Sequence, residues 1–357
     1  MILAVVLAFP VLVLPSMSAD AQTAPKVIPA ALRVRAFGDG VTAGFGFTTT
    51  GAELPIADAE RCRPEWIGDG SATSAGTRCS SNGSNGPGSP PDEIAFSADF
   101  GASNGVSWAA RVARELGAVD FANYAVTGSS LVSWLNLPRD ESAPAEGAQH
   151  DLLERIERDD PDLVLATLGG EALLQQSSAA VRSCADARDR ATQRAEFLGC
   201  VDGLLARQLV KQRLMAISFD VLAHTQNAKL LFATYLPAAP RFSFLLPWQQ
   251  EDLAAAINGV IGAAVQGVSE SGLAWAQRID VVPAEVPSDR CASDAIAGPW
   301  FLGRTWFTPR RCIPAPSGSV GDPAGFTPVS LGTVPGTALQ DALARPALAR
   351  IRAHGWA

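Results

Sequence analysis

The sequence predicts an α/β fold in which about five parallel strands are covered by helices on both faces. Three observations predict it. Short apolar, β-prone runs recur along the chain and alternate with stretches of helical spacing. The first run ends in a glycine turn, Gly38-Asp39-Gly40, the usual opening of an open parallel sheet. Finally, 47% hydrophobic and 18% charged residues in 357 supply a core and exclude wholesale disorder.

Taken in order, residues 31–37 (ALRVRAF) read as the first strand. Residues 48–103 read as irregular surface loop, because SSNGSNGPGSPPDE has nothing to pack. Residues 107–116 have helical spacing, with Trp108, Val112 and Leu116 on one face. A short strand over 120–124 precedes a turn at Gly128. Residues 150–158 form an amphipathic helix that Asp160-Pro161 ends. Residues 163–168 (LVLATL) are a buried-type strand closed by Gly169-Gly170. A helical stretch to Val181, a cysteine-bracketed excursion and a single helix over 204–224 follow. Residues 229–235 (KLLFATY) give the fourth strand, 251–270 a long helix, 278–282 the fifth strand and 337–352 a final helix. No repeat or internal boundary divides this stretch, so residues 22–357 read as one three-layer α/β/α domain. Function in such a sheet gathers at the carboxyl ends of the strands. Here those ends are Gly38-Asp39-Gly40, Ala125 to Gly128, Gly169-Gly170-Glu171 and Tyr235-Leu236-Pro237.

Residues 1–21 read as a secretory signal peptide: an apolar run to Leu14 too short to span a bilayer comfortably, then Ala19-Asp20-Ala21 as cleavage pattern. The alternative is a retained anchor, since no Lys or Arg precedes the run. No later stretch reads as a membrane span. A net charge of −8 without a basic block excludes nucleic-acid binding, which needs cations to replace phosphate counterions. An exported chain with six cysteines is expected to form disulfides. Near neighbours close the cheapest loops, which favours Cys62–Cys79, Cys184–Cys200 and Cys291–Cys312. No C-x-x-C or His cluster suggests a metal, and no cofactor motif is present.

Four blocks at these strand ends resemble the SGNH/GDSL hydrolases, in the order in which that family has them. Phe37-Gly38-Asp39-Gly40-Val41-Thr42-Ala43-Gly44 is similar to the first block, FGDS-[LVI]-T-x-G. Asn123 to Gly128 is similar to the second, Leu168-Gly169-Gly170-Glu171-Ala172 to the third (I-G-G-N-D), and Gly325 to Gly332 to the last (x-F-H-P-N-x-x-G). The three local cysteine pairs resemble the secreted, disulfide-bearing esterase branch. The resemblance implies a flavodoxin-like domain with long disulfide-pinned loops. It places a serine nucleophile at Gly40, oxyanion donors at Gly128 and Glu171, and the base at Thr327, with its orienting acid at Ala324.

Each substitution removes a chemical capacity. Gly40 has no side chain to acylate and Thr327 no basic nitrogen. Glu171 sets a carboxylate where a developing oxyanion needs a donor. Loss of nucleophile or base costs a factor of about 10⁶, so the expectation is a secreted pseudo-enzyme that binds rather than cleaves. Its cleft would take an acyl, lipid or glycan ligand. The alternative is an active lipase, acyl esterase or carbohydrate esterase with a relocated site. For that, Ser129 and Ser130 are the candidate hydroxyls, and His150, His224 and His354 the candidate bases. Asp220 and His224, four apart, read as a surface pair, and His354 as a tail residue. A third reading uses Asp39 and Glu171 as an acid/base pair, against Asp39 as a turn cap. Trp300, Phe301, Trp306 and Phe307 either pack their loop or line a rim, and Trp66, Trp134 and Trp248 read as loop tryptophans with the same ambiguity.

Overall fold

Five apolar runs pair side by side in the computed structural model, which describes residues 32–44, 107–126, 129–137, 146–147, 149–174, 179–185, 193–236, 245–284 and 337–357. The strands are β1 (Arg33–Gly38), β2 (Asp120–Asn123), β3 (Leu163–Thr167), β4 (Lys229–Ala233) and β5 (Ile279–Val282). They form one sheet in the order β2-β1-β3-β4-β5, and every pairing is parallel. This is the flavodoxin-like order. Every residue of β3 is buried, and β1 and β4 are buried from their second residue on. Strands covered on both faces are mostly apolar along their length, as β3 and β4 are, whereas β1 carries Arg33 and Arg35 among its apolar residues.

The helices are α1 (Gly40–Ala43), α2 (Trp108–Glu115), α3 (Leu131–Trp134), α4 (His150–Asp159), α5 (Glu171–Leu174), α6 (Ala179–Ala185), α7 (Gln193–Arg207), α8 (Val210–His224), α9 (Pro247–Ser269) and α10 (Thr337–His354). The crossover from β1 to β2 runs one way along the sheet, and those from β2 to β5 run back. Right-handed crossovers therefore put α2 on one face and α4, α8 and α9 on the other. On the first face α10 packs along α2, and on the second α9 packs along α8.

The sequence reading needs several corrections. The single helix expected over 204–224 is two helices, α7 and α8. They break at Leu209, which takes a left-handed φ of 53° without being glycine. The excursion between Cys184 and Cys200 is helical at both ends, because those residues lie in α6 and α7, and they form the expected disulfide. Cys62, Cys79, Cys291 and Cys312 lie outside the described residues, as do the signal peptide, the aromatic cluster at 300–307 and Trp66. Helix α9 starts at Pro247, not 251, since proline suits a first helical position. Trp134 and Trp248 are not loop residues. Trp134 ends α3 fully buried against Phe37, at 5.3 Å between ring centres, and Trp248 meets Phe197 from within α9. The final helix runs on to His354.

Residues Trp248–Ser269 are long and apolar enough to cross a membrane by length and composition, against the sequence expectation. In this fold the segment is a core helix: Leu253, Ile257, Ile261 and Val268 are buried.

At the amino ends of the strands an ion network ties sheet to helix. Arg35 is buried and donates to Asp159 at 2.6 Å and Asp120 at 2.7 Å. Burial works against its charge, but the two carboxylates outweigh burial and hold the guanidinium pKa above its ordinary value. Arg33 donates to the backbone carbonyls of Asp159 and Asp160, so the end of α4 is fastened to β1.

Candidate functional site

The candidate site is the opposite edge, where β1, β3 and β4 end. Gly38 closes β1 at φ 131°, and a Cβ there would lie 2.2 Å from the carbonyl oxygen of Thr167. Only glycine permits this approach, and it turns the chain out of the sheet at this point. Asp39 then donates its N–H to Thr167 O at 3.0 Å and caps α1, its Oδ1 accepting from the N–H of Val41 at 3.1 Å. Thr42 Oγ1 accepts from the N–H of Thr167 at 2.8 Å. The corner after β1 is thus sewn to the end of β3.

The strand ends β3 and β4 meet at Tyr235. Its hydroxyl donates to Asp39 Oδ2 and accepts from the N–H of Gly170 at 2.9 Å. Asn258 of α9 holds the backbone of Tyr235 at both polar groups, each at 2.8 Å. Gly170 is glycine for space: a Cβ would sit 2.6 Å from the Tyr235 ring and 2.7 Å from Ile257. Asp39 and Tyr235 are both buried. From the far side, Gln340 of α10 accepts from Trp108 N–H at 2.8 Å and donates to Val41 O at 3.3 Å. Sequence marks Tyr235 only as a strand end, and it does not single out Asn258 or Gln340.

Replacing Tyr235 by Phe keeps the ring and removes both hydroxyl contacts. The buried Asp39 carboxylate loses a donor, and Gly170 N–H loses its acceptor. We expect a loss of about 2–3 kcal/mol in urea unfolding. A loss under about 1 kcal/mol would show that the hydroxyl does not organise this corner.

The predicted site residues fall as follows. Gly40 is the first residue of α1 and is buried, directly after the cap Asp39. Glu171 opens α5 after the Gly169-Gly170 turn, at the carboxyl end of β3. Gly128, Ala324 and Thr327 lie outside the described residues. Ser129 is buried, and its hydroxyl donates to Gly38 O at 2.9 Å and accepts from Trp134 Nε1 at 2.9 Å. It serves as a bridge between β1 and α3. Ser130 starts α3, where its N–H donates to Ser133 Oγ.

The chain has three histidines, and all are described. His150 and His224 face carboxylates of α4 and α8, at Glu154, Glu157 and Asp220. His354 is no tail residue: it ends α10, and its Nε2 lies 2.6 Å from Asp280 of β5. Among the described residues none of the three hydrogen-bonds a hydroxyl. Asp39 spends its oxygens on the α1 cap and on Tyr235, which is the turn-cap arrangement and leaves it a poor partner for Glu171 in acid/base work.

No family model and no curated protein sequence matches the chain. Among solved structures, it is similar to phospholipase A1 from Streptomyces albidoflavus NA297, at 14% identity and TM-score 0.43, over 90% of this chain and 99% of that one. It is also similar to the extracellular lipase of Streptomyces rimosus, at 14% identity and TM-score 0.45, over 90% and 99%. A third is the aryl esterase of M. smegmatis, at 13% identity and TM-score 0.38, again over 90% and 99%. The all-parallel sheet order, the Gly38-Asp39-Gly40 corner after β1 and the Gly169-Gly170 turn after β3 give this chain the flavodoxin-like α/β/α architecture that the sequence predicts.

Proposed function

We propose that this chain is an exported SGNH-type scaffold that binds an acyl, lipid or glycan ligand at the carboxyl edge of its sheet without serine-esterase chemistry. One observation carries the reading. The nucleophile position is Gly40, and each of the three histidines is engaged with carboxylates away from any hydroxyl among the described residues. A hydroxyl with no imidazole beside it stays protonated and a weak nucleophile. Relocation to Ser129 is disfavoured by its contacts, since that hydroxyl already donates to Gly38 O. Export is supported by the apolar leader over residues 1–21 and by the Cys184–Cys200 disulfide, which suits an oxidising compartment. In this reading residues 22–357 are the mature domain.

The test uses purified full-length protein with short-chain nitrophenyl esters and a fluorophosphonate probe. We expect turnover no higher than buffer and no covalent label. Turnover together with a labelled serine would overturn the proposal in favour of an active lipase or esterase.

A further inference from the structure

Away from the strand ends, the seam between α4 and α8 gathers a second group of reactive side chains. Glu157 Oε2 and Asp220 Oδ1 lie 3.5 and 3.1 Å from the same atom, His224 Nδ1. Asp220 Oδ2 lies 4.0 Å from His150 Nδ1, whose Nε2 is 3.5 Å from Glu154. One ligand atom from each of Glu157, Asp220 and His224 falls within 4.8 Å of the others.

Two features separate this group from an ordinary surface ion pair. Its carboxylates face imidazoles only; among the described residues no Lys or Arg forms an ion pair with Glu157 or Asp220. Two atoms within it, Glu157 Oε1 and His150 Nδ1, are buried and have no hydrogen-bond partner.

We propose that this seam binds a divalent transition metal of the zinc class, with His224 Nδ1, Asp220 and Glu157 as its three protein ligands. Zinc bonds to nitrogen and oxygen of about 2.0–2.2 Å set tetrahedral ligand atoms about 3.3 Å apart, which is the spacing observed around His224. The mixed imidazole and carboxylate donors suit zinc better than calcium or magnesium, which demand more oxygens. His224 is 59% exposed and gives the ion an entry path, whereas Glu157 at 14% forms the inner wall. A bound ion would join α4 to α8. The proposal is independent of the cleft reading above.

The experiment is calorimetric titration of ZnCl2 into EDTA-stripped full-length protein, with melting followed in parallel. We expect one saturable site and a raised Tm. His224→Ala alters an exposed side chain and should fold. It is expected to weaken zinc by more than the ~10–100-fold that a change outside the ligand shell costs. Asp220→Asn should do likewise, and His354→Ala, which removes an imidazole elsewhere, should leave the site intact. Absence of saturable binding, or binding that His224→Ala leaves unchanged, overturns the proposal, whatever the fate of Asp220→Asn.

Discussion

If the proposed reading holds, the four changes Gly40→Ser, Ala324→Asp, Glu171→Asn and Thr327→His are expected to confer weak esterase activity on the chain. Two of the four positions lie at neighbouring strand ends. Position 40 sits at the start of α1, just past the end of β1, with Asp39 capping the helix. Position 171 starts α5 at the neighbouring strand end, behind Gly170, whose N–H is held by Tyr235. A serine at 40 would therefore issue from a rigid corner, and an amide at 171 would replace a carboxylate that repels an oxyanion. An intact triad is worth about 10⁶, and one oxyanion donor about 10²–10³. A repaired site without refined spacing should recover a small part of this, on the order of a hundredfold over the parent chain. Nitrophenyl ester hydrolysis and fluorophosphonate labelling of the introduced serine read the gain. A folded variant that neither turns over nor labels would show that the four positions do not converge.

Gly38→Ala is expected to have the largest effect on stability, in the loss of cooperative folding or of more than about 4 kcal/mol. Two costs add at this residue. The φ of 131° is closed to L side chains, and the new methyl would meet a backbone oxygen, Thr167 O, at 2.2 Å. That oxygen cannot swing aside, because it accepts from Asp39 N–H. Gly117 separates the two costs: its φ of 68° is also left-handed, but nothing lies within 4 Å of the added methyl. Gly117→Ala should therefore lose only about 1–2 kcal/mol. Urea unfolding of both variants makes the comparison, and equal losses would refute the steric argument.

Strands β3 and β4 were legible because a strand covered on both faces is mostly apolar along its length, as LVLATL and KLLFATY are, and β1 because its apolar, β-prone run leads straight into the Gly38-Asp39-Gly40 turn. The place of Gly40 just past the end of β1 was legible for a local reason too, because Gly38-Asp39-Gly40 directly follows the strand run. Other features were not local. The break between α7 and α8 falls at Leu209, with neither glycine nor proline to announce it. Tyr235 gains its importance from Asp39, 196 residues earlier in the chain, and strand periodicity says nothing of such a partner. The same holds for His224, whose neighbour on its own helix was foreseen but whose partner Glu157 comes from α4.

The clasp made by Gln340 has a consequence for the order of synthesis. β1 lies inside the sheet, so it cannot be completed until Leu163–Thr167 has emerged to flank it. The floor beneath it waits longer, because Val41 O and Trp108 N–H are joined only through Gln340, 232 residues beyond Trp108. A growing chain can thus sew its first corner to β3 early, but it lacks the Gln340 link until nearly the whole chain has been made. Such contacts, distant in sequence, slow folding, so closure of this corner is expected among the last events in the folding of the chain.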